Sequence, residues 1–504
     1  MEDVNSRQSK AESETPTGQP GGSSLISRLS SLTGHFLRYP ALLLAVTVLA
    51  SLSIAQTSSD HPPKVLTLEE ALNYAQDHYP AVRAALEQAS AARAGVNLAR
   101  TQYLPQLNGV FQGSRATQNQ VPGIWLPTPI TPTVEGPIGP SSGQSFWGSQ
   151  AAALFSWEPL DFGLRSAKVG QARSAEDKSE ADVSLTRLQV AASVGDYFLL
   201  AVANHEAAMA AQANVNRRQV FSRSVQVLVD NELRPGVDAS RADAELARAK
   251  MQLYQAEQAE RMALDTLAAV MGTAGSSLQV DGSRLVDAVP GDSLPAVSPS
   301  DHPLARDQMA ALRQAEAEEK VLQRTDYPRF FLQAEGFGRG SEVPNDGSMI
   351  GNWNGLAPAR GNWVTGITIL FPDVFSLKAR SAEEQISKAS ERSQQAHYDQ
   401  TVQDLTGQIQ SARDQWKTAK LIAEQTPVEL AAARQSETQS RARYQSGLAT
   451  LVEVADAQGL LAQAEMDDSV ARLGVWRALF AVAYAQGNLQ DFLQVLRSAT
   501  ARSN

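Results

Sequence analysis

Between Asp161 and Gly272 the chain contains a single proline, Pro235, and it stands beside Gly236. So long a run with one break predicts a helix of roughly 65–70 residues, a tight turn, and a returning helix of about 35. At about 1.5 Å of rise per residue the first arm is on the order of 100 Å long, whereas an ordinary globular helix has about 11–12 residues. The stretch from Phe375 to Gly487 repeats the plan, with its turn near Ser446 and Gly447 and one internal proline, Pro427.

The returning arms carry a heptad signal. Ala242, Ala249, Ala256, Ala263 and Val270 recur every seventh residue, with Leu246, Leu253 and Leu267 four residues after members of the series and Glu260 breaking the row. In the second arm Ala457, Ala464, Ala471, Ala478 and Ala485 repeat, partnered by Leu461, Asp468, Val475 and Val482. Alanine in half of such core positions lets helices approach closely. The outgoing arm is apolar on more than one side: Val183, Leu188, Val190, Val194, Phe198 and Val202 do not fall on one stripe. A helix with two contact stripes has neighbours on both sides, which suits a sheet or tube of helices better than a two-stranded rope. The heptads alone also suit a non-channel structural coiled-coil protein of the periplasm or envelope, and that is the alternative reading.

A net charge of −10 argues against a nucleic-acid partner, and the absence of cysteine removes disulfides, thiolate metal sites and thiol nucleophiles. The six histidines, His35, His61, His78, His205, His302 and His397, are scattered without metal-ligand spacing. With no phosphate loop and no nucleophile motif, neither an enzyme nor a cofactor is expected. Arg28 and Arg38 precede an apolar run from Ala41 to Ala50, and Ser53-Ile54-Ala55 offers a small-x-small cleavage site. Residues 1–55 therefore read as a leader and signal peptide. The apolar run is too short to span a bilayer as a helix, so a membrane location would have to rest on strands.

Strand patterns do occur, at the same point of each copy. In the first, Leu107, Gly109 and Phe111 alternate with Gln106, Asn108 and Gln112. Beyond a proline-rich loop over 115–144, Trp147, Ala151, Ala153, Phe155 and Trp157 share a face opposite Gly148, Gln150 and Ser156. In the second, Phe330, Leu332 and Ala334 alternate with Phe331, Gln333 and Glu335. A shorter loop over 339–361 then leads to Trp363, Thr365, Ile367, Ile369 and Phe371 on one face. Apolar on one side and small or polar on the other is the signature of a membrane barrel strand. Pro80 and Pro105 are answered by Pro303 and Pro328, 223 residues on. Phe162-Gly163-Leu164-Arg165 is answered by Phe375-Ser376-Leu377-Lys378, 213 residues on, and the alanine heptads stand 215 apart. An internal duplication results. It gives a first repeat over 56–272 (strand hairpin 104–157, helical hairpin 161–272), a linker over 273–299, a second repeat over 300–487 (strand hairpin 328–371, helical hairpin 375–487) and a C-terminal segment over 488–504. Four strands cannot close a barrel, for which about eight is the smallest useful number, and open edges are not tolerated in lipid. Membrane strands here require an oligomer; two chains would give eight strands and three would give twelve.

The opening Leu66–Leu72, the paired strand hairpins, the Trp157-Glu158-Pro159-Leu160-Asp161-Phe162-Gly163 junction and Gly447-Leu448-Ala449 followed by Val452-Glu453-Val454 resemble the TolC-type outer-membrane efflux proteins. The resemblance covers about residues 66–496. It implies a mainly α fold with membrane β. Long coiled-coil hairpins would form an α-helical barrel in the periplasm, below a twelve-stranded β-barrel in the outer membrane to which each chain of a homotrimer gives four strands. It implies a passive exit duct for efflux or type I secretion, lying in outer-membrane lipid and served by an inner-membrane transporter and a periplasmic adaptor (membrane-fusion) protein. The loops 115–144 and 339–361 then face the cell exterior. In the family the helix turns form the periplasmic mouth. Tyr444, Gly447, Glu453 and Asp456 fall on positions of the gating and aperture motif, Asp238 on the first-copy equivalent of Glu453, and Gly447 and Leu448 on adaptor contacts. The resemblance thus implies Glu453, Asp456 and Asp238 as pore constriction and Tyr444, Gly447 and Leu448 as gate or adaptor contact. The gate arginine expected two residues after the glycine is Ala449 here, and Arg234-Pro235-Gly236 replaces the usual first turn.

Overall fold

The computed structural model describes residues 65–117, 145–287, 289–290, 294–342, 353–372 and 377–502. The expected signal peptide, residues 118–144 and 343–352 of the two expected loops, and the repeated Phe375-Ser376 lie outside the described residues. A short strand β1 (Val65–Leu66) precedes α1 (Leu68–His78) and α2 (Pro80–Thr101). Strands β2 (Gln106–Thr117) and β3 (Ser145–Leu160) lead into α3 (Leu164–Asp230) and α4 (Gly236–Val270). Next come β4 (Gln279–Val280) and α5 (Ser283–Asp287). The second copy runs α6 (Pro303–Thr325), β5 (Arg329–Ser341), β6 (Arg360–Leu370), α7 (Leu377–Gln445) and α8 (Leu451–Ala485), and α9 (Gln490–Arg502) follows. The outgoing helices have 67 and 69 residues and the returning ones 35 each. No described helix is long and apolar enough to cross a membrane.

The four long strands form one antiparallel sheet in the order β2-β3-β5-β6. Pairing Leu107 with Phe155, Phe155 with Ala334 and Ala334 with Thr365 puts Leu107, Phe155, Leu332 and Ile367 on one face. Leu107, Phe111, Trp363 and Ile367 are each at least two-thirds exposed there. The opposite face carries Gln106, Asn108, Gln112, Gln150, Gln333, Glu335 and Asn362. The β3–β5 register shifts between Trp157 and Leu160, where Pro159 has no N–H to give to a ladder. β2 and β6 are the two open edges.

α3 touches α2, α4, α6 and α8, which accounts for its several apolar stripes. On either side of the α3–α8 seam lie α4 and α7. The heptad alanines Ala242, Ala249, Ala263, Ala457, Ala464 and Ala485 are buried. The carboxylates that interrupt the rows are met from the outgoing helix. Glu260 lies 2.7 Å from His205 Nδ1, and Asp468 accepts from Thr426 Oγ1 at 2.9 Å. The α3–α8 seam is fastened by two bidentate pairs, Arg217 to Glu465 and Arg477 to Asp196.

The main core lies where both hairpins meet α1 and α9, around Trp476, Phe198, Phe492, Leu66, Leu72 and Leu479. Trp476 and Phe480 both meet the edge of Phe492, with centroids 6.0 and 5.2 Å apart. Gly195 admits this packing, since a Cβ there would sit 2.1 Å from Phe480 Cζ. Within the stretch expected as a linker, 273–299, several described residues pack onto this core. β4 pairs in parallel with β1, Leu278, Leu285 and Leu294 are buried, and a Cβ on Gly282 would strike Val202. The expected C-terminal segment holds α9, whose Arg497 pairs with Glu69 of α1.

His302 caps α6. Its Nδ1 accepts from Leu304 N at 3.0 Å and its Nε2 donates to Tyr484 O at 3.2 Å, so both nitrogens are in use only in the neutral ring. Burial holds its pKa below the ordinary histidine value. A depressed folded pKa stabilises above the unfolded value and the contribution is lost as pH falls through it, about 6.5. The thermal midpoint should therefore fall between about pH 7.5 and about pH 5.5, and fall less in His302→Asn, which keeps the acceptor without the titration. Equal acid sensitivity of both proteins would remove His302 as the cause.

Candidate functional site at the helix turns

Both long hairpins turn through the same device. At the end of α3, Leu233 N donates to Leu228 O at 2.8 Å and Glu232 N to Val229 O at 2.9 Å. At the end of α7, Leu448 N donates to Arg443 O at 2.8 Å and Gly447 N to Tyr444 O at 3.0 Å. These are paired Schellman closures, each needing one left-handed residue. Gly447 supplies it in the second turn at φ 77, and Glu232 in the first at φ 59, where a side chain costs roughly 1–2 kcal/mol. Pro235 and Gly236 do not make the first turn; Pro235 is the N-cap of α4 and Gly236 its first residue. The residue after each left-handed position is a leucine, Leu233 or Leu448, 68% and 70% exposed.

Tyr444 is buried just above the second turn and packs with Val225, Leu451 and Val454. Phe221 lies 5.6 Å from its ring, and the Arg234 guanidinium sits 4.5 Å over its face while Arg234 Nη2 donates to Tyr444 O at 2.9 Å. One turn of the chain thus clasps the other. Burial pushes the Tyr444 phenol above its ordinary pKa, the Asp238 carboxylate adds to this, and Arg234 opposes it. The phenol oxygen has no hydrogen-bond partner among the described residues.

Arg234 was not singled out by the reading of the sequence. Its signal was present in the repeat: 215 residues, the spacing of the alanine heptads, separate Arg234 from Ala449, where the resemblance expects an arginine. The same spacing joins Leu233 to Leu448 and Asp238 to Glu453.

Glu453 closes a capping box. Glu453 N donates to Thr450 Oγ1 and Thr450 N to Glu453 Oε1, both at 3.3 Å, and Arg443 approaches its other oxygen at 4.0 Å. Asp456, one turn on, lines a cleft of about 500 Å³ between α3, α4 and α8. Arg218, Arg248 and Glu245 line it too; Arg218 donates to Glu245 at 3.0 Å and reaches Ala455 O at 3.4 Å. Burial lowers the Arg218 pKa, against the pull of Glu245. Asp238 stands in the first turn of α4, beside Tyr444. The structure therefore gathers Asp238, Tyr444, Gly447 and Leu448 about the two turns, and sets Glu453 at its own cap and Asp456 in the cleft beside Arg218. Among the described residues no His, Asp or Glu cluster has the geometry of a metal site.

Arg234→Ala removes a cation–π contact and a hydrogen bond, together about 1–2 kcal/mol of local stability. Amide exchange at Gly447 and Leu448 should speed up roughly 5–30-fold while the Trp476 core is unchanged. Unchanged exchange at the turn would show that the clasp holds nothing.

The description "Outer membrane efflux protein" matches residues 71–273 and 301–490. Protein CyaE of Bordetella pertussis is 27% identical over 297 residues, which cover 55% of this chain and 56% of that protein, so the chain matches just over half of that relative's length. Among solved structures, VceC from Vibrio cholerae is 16% identical with a TM-score of 0.65, over 84% of this chain and 96% of its own. The Neisseria gonorrhoeae MtrE outer membrane channel is 20% identical with a TM-score of 0.66, over 84% and 89%. The Campylobacter jejuni CmeC outer membrane channel is 16% identical with a TM-score of 0.65, over 83% and 85%. At these identities the likeness is one of fold. With both of its repeats matched by the family description, the chain belongs to the outer membrane efflux protein family.

Proposed function

We propose that the protein is a passive exit duct of the outer membrane, built from three copies of the chain. The carrying observation is the sheet: one face with exposed large apolar side chains, an opposite face carrying Gln150, Gln333 and Glu335, and two open edges at β2 and β6. In hydrocarbon each unpaired backbone group costs several kcal/mol, so those edges have to be paired by other copies. Three copies supply twelve strands, the number the family resemblance implies, and the long helices prolong the tube into the periplasm. The residues of the loops 115–144 and 339–361 join strands at the end away from the helices and face the cell exterior. A structural coiled-coil role leaves the apolar face of the sheet unexplained.

The duct has no engine of its own, so an inner-membrane transporter and a periplasmic adaptor would supply energy and cargo. Leu233 and Leu448, exposed at adjoining turns, together with Gly447, are the proposed adaptor contacts. Tyr444, held by Arg234, is the proposed gate residue. Glu453, Asp456 and Asp238 are the proposed constriction, where threefold symmetry would set carboxylates around one axis and favour cations.

Purified in detergent, the protein should have the mass of three chains, give an unboiled gel band that collapses on heating, and conduct in planar bilayers. A monomer without conductance would sink the duct. The constriction is tested separately. Glu453→Ala with Asp456→Ala should reduce cation selectivity and weaken block by multivalent cations. If the pair lowers stability alone, Glu453 is a cap, Asp456 a partner of Arg218, and the narrowest point lies elsewhere.

A further inference from the structure

Where the sheet meets the helices, its apolar face ends in a layer of aromatic side chains. Phe330 lies on that face, opposite Ile369 of β6. Its ring meets Phe162 edge-on at 6.0 Å, and Phe162 lies 5.9 Å from Tyr327. Trp157, on the same face, donates its Nε1 hydrogen to Tyr103 O at 3.2 Å. Tyr103, Trp157, Phe162 and Tyr327 are all exposed. Such rings mark the level where hydrocarbon gives way to headgroups.

Immediately beyond this layer is an open cleft of about 820 Å³, between the end of α2, the start of α3 and the end of α6. Phe162 and Tyr103 line it, and through its contact with Phe330 Phe162 joins the cleft to the apolar face of the sheet. Five cations line it, Arg100, Arg173, Arg313, Lys320 and Arg324, against one carboxylate, Glu316. Arg324 binds the two layers together: its guanidinium is 5.5 Å over the Tyr327 ring and it donates to Phe162 O at 3.4 Å. Among the described residues none of the five is in an ion pair, although Arg93, Lys178 and Arg306 on the same helices have each found a carboxylate. Five cations held together on a surface of net negative charge need an anion from elsewhere.

We infer that this cleft binds the phosphate of an anionic phospholipid in the periplasmic leaflet of the outer membrane, with the acyl chains against Phe162 and Phe330. The order of the surfaces favours a lipid over other anions. An apolar band, an aromatic layer and a cationic cleft follow one another as acyl chain, glycerol and phosphate do in a phospholipid. The inference rests on the duct reading, because the apolar face must meet lipid for the cleft to lie at headgroup height. It gives α2, α3 and α6 a purpose apart from the tube: they set the depth at which the protein sits.

The test uses the full-length oligomer in detergent, incubated with phosphatidylglycerol or phosphatidylcholine, with bound lipid counted by native mass spectrometry. The unaltered protein should retain about one phosphatidylglycerol per chain in preference to phosphatidylcholine. Arg313→Gln with Lys320→Gln should weaken that retention about tenfold, and Arg173→Gln, on another helix, should lower it in the same direction. Arg115→Gln, at the opposite end of the sheet, should leave it unchanged. Conductance and the unboiled oligomer band report whether each variant is assembled. Assembled variants with undiminished phosphatidylglycerol retention overturn the inference, as does displacement of the lipid by millimolar inorganic phosphate, which would mark a free-anion site. An unaltered protein that neither assembles nor conducts overturns the duct reading itself, which is a different failure.

Discussion

A peptide group in hydrocarbon has nothing to bond to except another peptide group. The rest of this chain can be understood as a response to that demand. The four-stranded sheet satisfies it internally through β2-β3-β5-β6 pairing and leaves it unmet along the outer sides of β2 and β6. Along β3, Phe155 and Ala151 share the face of Leu107 and Phe111, while Gln150 and Ser156 stand on the other. The duplication supplies two strand hairpins in one chain. Among the helices, α3 has packed neighbours on several sides, and buried alanines at the seams keep the helices close.

Duplication also let the two copies divide tasks. Their turns keep one backbone closure and one leucine, yet they differ on both sides of that leucine, Glu232 against Gly447 and Arg234 against Ala449. The arginine of one turn lies on the tyrosine of the other. A contact that identical turns could supply to themselves has become a contact between them, so the two hairpin tips cannot move independently without breaking it.

The long helices and the strand faces were legible because they rest on periodicity, which is local. Heptads of alanine and alternation at Trp147–Trp157 need no knowledge of what lies opposite. The parts that were not legible depend on distant partners. β4 is two residues long and has no pattern; it exists because Gln279 and Val280 meet Val65 and Leu66. Glu232 as the left-handed residue was hidden by Pro235-Gly236, a stronger local turn signal that the chain uses to start α4 instead. Of the candidate site, the residues about the turns were placed by the family resemblance. The Arg234 clasp and the setting of Asp456 in the cleft of Arg218 were not, because each brings together segments more than 200 residues apart.

The β1–β4 pair and the Arg497–Glu69 contact have a temporal consequence. The central core joins Leu66 and Leu72 near one end of the fold to Phe492 and Leu493 near the other. A chain made from its N-terminus cannot complete that core until its last helix has emerged, and most of its burial depends on contacts distant in sequence. In the proposed duct, pairing between copies along β2 and β6 would then come after the core, because the residues that build the core are drawn from both ends of the fold.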